Sequence, residues 1–210
     1  MRTNVVEITF ILEAAKKTDS GNYTLLTENH IGTTNTSFIL QVIKRKLKNC
    51  TFETDLCDWI NEGNPNENEV GWLRRRGETP SHSTGPVAGY GGSGYYIYLE
   101  TSKLAGEGQA AVLRSVSIMA KSHPTKLSFA YHMFGPNIGS LRVHQRRYDK
   151  DGRKVPSTLW TQRGDQGNKW HTASVTIGPI QPYVKSRIVF VATVGNDTLG
   201  DIAIDSIILS

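Results

Sequence analysis

From residue 50 onward, no stretch of this chain repeats its apolar residues at helical spacing, while several repeat them at every second position. Leu127, Phe129, Tyr131 and Met133 share one side of such a run, with Ser128, Ala130 and His132 between them. A period of two marks a half-buried strand. Leu141-Arg-Val-His-Gln145 repeats the pattern, with Leu141 and Val143 inward and Arg142 and His144 outward, and Ala173, Val175 and Ile177 form a third set. Residues 188–194 are apolar at nearly every position, as a strand buried on both faces should be. Residues 95–100 and 111–115 are also strand-like, and Asp149-Lys-Asp-Gly152 is a hairpin turn. Short strands at this spacing predict an all-β, jelly-roll-type two-sheet sandwich.

Both cysteines stand at the entry to this region, Cys50 and Cys57, with Trp59 just after. The spacing predicts a small disulfide loop pinning the first strand, worth about 2–3 kcal/mol in a chain-entropy picture. Two free buried thiols, or half of a metal site, are the other readings. No further Cys or His follows at ligand spacing to complete a zinc site.

Composition narrows the function classes. The net charge of +5 is weakly basic, and its lysines and arginines are dispersed, so nucleic acid is not an expected partner. No run approaches the roughly 18 apolar residues of a membrane span. The start Met1-Arg-Thr-Asn is polar and residues 5–12 alternate too much for a secretory signal core. Asn-X-Ser/Thr sequons at Asn22, Asn35, Asn49 and Asn196 nevertheless point to the secretory route, as a disulfide does. A secreted type of chain with no signal is expected to be a fragment or an incomplete gene model. The glycine-rich residues 85–94 are not a phosphate loop, because no Gly-Lys-Ser/Thr closes them and no helical pattern follows.

Residues 5–12 and 37–42 read as strands around Asp19-Ser-Gly-Asn-Tyr23. This run resembles the E–F corner of an immunoglobulin-type domain, in which a tyrosine hydroxyl bonds back to upstream backbone, and Tyr23 would be that tyrosine. The resemblance implies that residues 1–43 are the last strands of an immunoglobulin-like domain, a partial one. Leu25 stands where the family usually has its second core cysteine, so the usual inter-sheet disulfide cannot form. The basic residues 44–49 then form a linker.

Residues 50–210 resemble the MAM domain, named for meprin, the neuropilin-type A5 protein and the mu-type receptor phosphatase. The motifs, in order, are Cys50-Thr-Phe-Glu53 with Cys57-Asp-Trp59, Gly94-Tyr-Tyr-Ile-Tyr-Leu-Glu100, Ala111-Val-Leu-Arg-Ser115, and Phe129-Ala-Tyr-His-Met-Phe-Gly135 with Gly139-Ser-Leu-Arg-Val143. Trp160 to Trp170 and Gly200-Asp-Ile-Ala-Ile-Asp-Ser-Ile207 complete the set. The family's usual third cysteine, just before the strand at 127–133, is replaced at Lys126 or a neighbour, so its second disulfide cannot form. The resemblance implies an extracellular, non-catalytic fragment that contacts a cell-surface or matrix protein, including a second copy of itself. An accessory module of a larger receptor phosphatase or secreted metalloprotease, and a glycan-binding jelly roll, are the alternatives.

Among ionisable residues, Glu53 and Asp205 are the most suggestive pair. Asp205 shares its alternation with Ala203, Ile207 and Leu209, which predicts that it points inward, where an unpaired carboxylate is costly. Related jelly-roll sandwiches hold a structural cation, usually calcium, between first-strand and last-strand acids. By that resemblance Glu53 and Asp205 would hold Ca2+, with Asp55 or Asp201 as a further ligand; bonds to backbone amides or an arginine, with no metal, are the other reading. His132 and Tyr131 belong to no Ser/His/Asp, Cys/His or His-Glu-X-X-His set and read as strand residues. Arg74-Arg-Arg76 with Arg142, Arg146 and Arg147 would form a basic face, or simply solvated loop charge. Trp59, Trp72, Trp160 and Trp170 read mostly as core.

Overall fold

The computed structural model describes residues 17–41, 47–63, 70–101, 106–118, 123–148, 151, 153–178 and 185–210. The expected strand at 5–12, residues 44–46 of the basic run, and all but Asp151 of the turn at 149–152 lie outside them. The chain divides into two compact units, Met1–Arg45 and Lys46–Ser210.

In the first unit a 3-10 turn at Lys17–Asp19 leads into a hairpin of β1 (Gly21–Asn29) and β2 (Gly32–Leu40), paired from Gly21↔Leu40 to Asn29↔Gly32. Thr33, Thr34 and Thr36 extend β2 well ahead of the expected start at Ser37, since β-branched residues suit an extended backbone. Tyr23 stacks on Phe38 with ring centroids 5.7 Å apart, and the Tyr23 hydroxyl donates to the Asp19 carbonyl at 2.8 Å.

The second unit contains β3 (Trp59–Asn61), β4 (Trp72–Arg76), β5 (Tyr95–Leu99), β6 (Ala110–Ser115), β7 (Thr125–Met133), β8 (Ile138–Tyr148), β9 (Lys154–Arg163), β10 (His171–Ile177), β11 (Lys185–Val194) and β12 (Ile202–Leu209). They form two five-stranded antiparallel sheets, ordered β10-β7-β12-β5-β4 and β3-β6-β11-β8-β9. This is the expected jelly-roll-type sandwich. The apolar run at 188–194 lies in β11, between β6 and β8.

Between the sheets, Ile97, Leu99, Leu127, Phe129, Met133, Ile202 and Ile204 meet Leu113, Leu141, Val143, Ile188 and Phe190 in one core. Aromatic edges lock the two layers: Phe129 and Phe190 lie 5.0 Å apart at 85°, and Phe129 and Trp160 5.3 Å apart at 84°. Trp59 and Trp72 are buried and Trp160 packs against the core, but Trp170 does not. It belongs to a smaller cluster with Tyr96, Tyr98, Ala203 and Leu73 on the opposite face of the first sheet.

Residues 77–94, without regular structure, cover that second cluster. Tyr96 donates its hydroxyl to the Gly77 carbonyl at 2.6 Å, and Trp170 Nε1 donates to the Ala88 carbonyl at 2.9 Å. The Thr84 hydroxyl donates to the Phe134 carbonyl at 2.8 Å. The loop thus covers the outer face of the first sheet around Tyr96, Tyr98 and Ala203, while Thr172, Ser174 and Thr176 of β10 and Ile208 of β12 stay exposed there.

Candidate functional site

The four candidate carboxylates lie in three places rather than one. Both expected cysteines form the Cys50–Cys57 disulfide, with Cα atoms 6.0 Å apart. Around Cys50 the chain makes only a single bridge to Ile207, not a full strand. Phe52 is fully buried in the left-handed region, with φ 58°. Arg74 clamps the segment: its Nε donates to the Phe52 carbonyl and its second guanidinium nitrogen to the Glu53 carbonyl, each at 2.6 Å. The same guanidinium lies 3.6 Å over the Tyr95 ring.

This clamp brings the Glu53 carboxylate to the end of the glycine-rich loop, where Oε1 accepts the Tyr95 N–H at 2.9 Å. Glycine is favoured at position 94, because φ is +86° and a Cβ would push the Glu53 carboxylate aside. Asp55 lies apart. Its Oδ1 accepts the Cys57 N–H at 2.7 Å, closing the disulfide loop from within.

Asp205 does not point into the core. A bulge between Asp205 and Ile208, with Ser206 at φ 48°, inserts a residue into β12 and resets the alternation. Ile204 and Ile207 therefore both reach the core, and Asp205 shares the loop-covered face with Ala203. There Oδ2 accepts the Tyr90 N–H at 2.9 Å and Oδ1 accepts the Ser206 N–H at 2.5 Å. Burial pushes its pKa up to about 6, amide hydrogen bonds oppose the rise, and the Glu53 charge adds to it.

Asp201 lies with Glu100, a buried acid that sequence reasoning overlooked. The alternation of Tyr96, Tyr98 and Glu100 on β5 and its continuation was the available signal. Asp201 Oδ1 accepts the Thr101 N–H at 3.2 Å, while Oδ2 is buried with no hydrogen bond. Glu100 accepts from the Ser81 and Tyr98 hydroxyls at 3.2 and 3.3 Å. Burial lifts the Asp201 pKa to about 6, and the Glu100 charge adds to that.

Among the described residues no group of three His, Cys, Asp or Glu side chains stands close enough to hold a metal ion. The Glu53 charge is felt at Asp205, and the backbone N–H groups of Tyr95, Tyr90 and Ser206 hold the two carboxylates. Asp55 and Asp201 are committed elsewhere.

His132 is buried, its Nε2 3.2 Å from Asn168 Oδ1 and its ring 5.5 Å from Trp170. Burial holds its pKa down near 4. The arginines expected to form one basic face lie on two different sheets. Arg74 serves Phe52 and Glu53, Arg75 donates to the Glu78 carbonyl, and all three of Arg74–Arg76 lie on the first sheet, whereas Arg142 and Arg146 lie on the second. All four sequon asparagines are exposed. No helix among the described residues is long and apolar enough to cross a membrane.

Two antiparallel sheets, a disulfide loop at their entry and a loop folded over one outer face define a jelly-roll-type β-sandwich module. A family model described as MAM domain, meprin/A5/mu, matches residues 50–210, and this chain belongs to that family. MAM domain-containing protein 2 of Homo sapiens is 37% identical over 159 residues, covering 75% of this chain and 22% of that protein. MAM domain-containing glycosylphosphatidylinositol anchor protein 1 of Rattus norvegicus is 34% identical over 167 residues, covering 76% and 17% respectively. Neuropilin-1a of Danio rerio is 36% identical over 157 residues, covering 74% and 16%. The chain thus spans under a quarter of the length of these relatives. Solved structures share the fold. A carbohydrate-binding module of the β-sandwich superfamily matches with TM-score 0.52 at 13% identity, over 91% of this chain and 75% of that one. The CBM22-1–GH10 modules of Clostridium thermocellum xylanase 10B match with TM-score 0.53 at 14% identity, over 80% and 28%.

Proposed function

We propose that this chain belongs to an extracellular recognition or adhesion protein, whose MAM sandwich makes protein–protein contacts at the cell surface and performs no catalysis. The observation that carries this reading is the family match over residues 50–210, shared with relatives named as glycosylphosphatidylinositol anchor proteins. The disulfide suits an oxidising compartment, and the exposed sequons at Asn22, Asn35, Asn49 and Asn196 suit N-glycans there. The partner is a cell-surface or matrix protein, with a second copy of this chain the first to test. The hairpin of residues 17–41 is the end of an immunoglobulin-like domain, supported by the bond from Tyr23 to the Asp19 carbonyl.

Glu53 and Asp205 hold a structural calcium ion in this reading. The ion's role is electrostatic: two carboxylates that repel when empty become a staple between the disulfide segment and β12. The test is sedimentation velocity of the whole chain, secreted from an oxidising host, with and without calcium. Self-association at micromolar concentration is expected, and a monomer under both conditions sinks the homophilic form of the proposal. Calcium should raise the melting temperature, and Asp205→Asn should abolish that rise. A calcium-indifferent melting temperature removes the ion.

A further inference from the structure

The second sheet turns its other face away from the core. Because Leu141, Val143, Ile188, Phe190, Ala111 and Leu113 point inward, the residues between them on β8, β11 and β6 point outward. These include Arg142, His144 and Arg146 on β8, Arg187 on β11 and Arg114 on β6. The register gathers them: Arg187 lies opposite Arg146, and Val189 is flanked by His144 on one side and Arg114 on the other. The edge strand β9 adds Arg163 opposite Ser140 and Lys154 opposite Tyr148, both exposed. Strand spacings put the four central arginines within a patch roughly 15 Å across.

Glu62 is the one carboxylate that ion pairs among the described residues place here, 2.7 Å from Arg114 and 3.8 Å from Arg146. It is shared between two guanidiniums and leaves the face with a large positive excess. The field is felt locally: burial lowers the His144 pKa, and the Arg142 and Arg146 charges lower it further. Val189 is fully buried yet outside the core cluster, as it would be beneath long side chains lying along the sheet. Arg187 Nε has no hydrogen-bond partner, and its guanidinium lies 6.0 Å from the Tyr148 ring centre.

We propose that this outer face of the β3-β6-β11-β8-β9 sheet binds a sulfated polysaccharide. The proposal rests on the extracellular reading above, which makes sulfated glycans the available polyanions. Planar guanidiniums offer paired N–H donors that match sulfate oxygens better than ammonium groups do. An acidic protein segment fits less well, because protein interfaces rest on clusters of aromatic and aliphatic anchors, and the exposed large aliphatic side chain beside these arginines is Ile60, opposite Arg114 on the edge strand β3. A linear polymer of dense charge needs no such anchor, since its affinity comes from released counterions.

The test is binding of a fluorescent heparin oligosaccharide to the whole chain across a salt series, with an unsulfated chain of the same sugars and poly-glutamate as competitors. Binding should weaken steeply with salt, and the double variant Arg142→Ser/Arg146→Ser should lower the slope of log K against log salt by about 1.4–1.8, taking 0.7–0.9 per charge. Lys169→Ser, an exposed charge outside this face, should leave binding unchanged. Glu62→Gln should strengthen binding, a gain that misfolding cannot imitate. No binding at low salt, equal competition by the unsulfated chain, preference for poly-glutamate, or an unchanged Glu62→Gln affinity each overturns the proposal. Sedimentation without heparin reads the adhesion proposal separately, so self-association with no heparin binding sinks this inference alone.

Discussion

The two outer faces of the sandwich differ in kind. The face of the first sheet is covered over β5 and the start of β12 by residues 77–94, and beneath them lie Tyr96, Tyr98, Trp170 and the carboxylates of Glu100, Asp201 and Asp205. The face of the second carries arginines with no comparable loop described over it. One sheet has its acids desolvated and held by hydroxyls and amides; the other keeps its cations partly in water. Buried charge is costly without donors, and for Asp205 and Glu100 the loop supplies them through the Tyr90 N–H and the Ser81 hydroxyl, while Asp201 Oδ2 is left without one. Structure and stability should therefore be sensitive to change on the covered face, and binding on the open one.

The largest effect expected is from Tyr96→Ala, which removes a fully buried ring and its bond to Gly77. It should cost about 3–5 kcal/mol in urea unfolding; a loss under about 1 kcal/mol would mean the covered face is not part of the stable structure.

Gly94→Ala comes next. Strain at φ +86° and the clash with Glu53 Oε1 should together cost about 1–3 kcal/mol, and calcium protection should weaken with it. A fully stable variant would show that the loop end can shift away from Glu53.

A smaller effect should appear in the pH dependence. Asp201 and Asp205, with folded pKa near 6, bind protons more tightly folded than unfolded, so they add stability as pH falls from 6 towards 4 and lose it as pH rises. His132, near 4 when folded, works in the opposite direction between pH 6.5 and 4, because the unfolded chain is protonated first. Two carboxylates against one imidazole leave a melting temperature a few degrees higher at pH 5 than at pH 7, at about 2–4 °C per kcal/mol. Asp201→Asn should flatten the profile, and His132→Gln should steepen it. A profile unchanged by both variants would mean these groups are not buried as described.

Smallest of all, Arg142→Ser on the open face should change stability by less than about 0.5 kcal/mol. A larger loss would show that the arginine stems act as structural cover for Val189.

Strand identity was legible because alternation is a local property. Leu127 to Met133 and Leu141 to Val143 were assigned to the correct face from spacing alone, and the disulfide from two cysteines and a tryptophan. The same rule failed at Asp205, since one inserted residue at Ser206 reverses the side-chain parity and no composition signal announces it. Glu100 was legible in principle, one step beyond an alternating run, but its neighbour Asp201 is far away in the sequence.

The sequence by itself determined that this chain is a β-sandwich of the MAM family and which residues form several of its strands, and it pointed to the pairing of Cys50 with Cys57. Each of these follows from short-range spacing or a motif read in order. Only the tertiary structure decided that Asp205 lies under the glycine-rich loop, that Glu53 and Asp205 form one neighbourhood while Asp201 and Glu100 form another, and that arginines from β6, β8 and β11 share an open face. Those outcomes depend on strand order and loop docking, made by contacts such as Tyr90 to Asp205 across 115 positions. Contacts at such separation close large loops, and the gain that repays their entropy comes from the whole packed sandwich, which no local window of sequence contains.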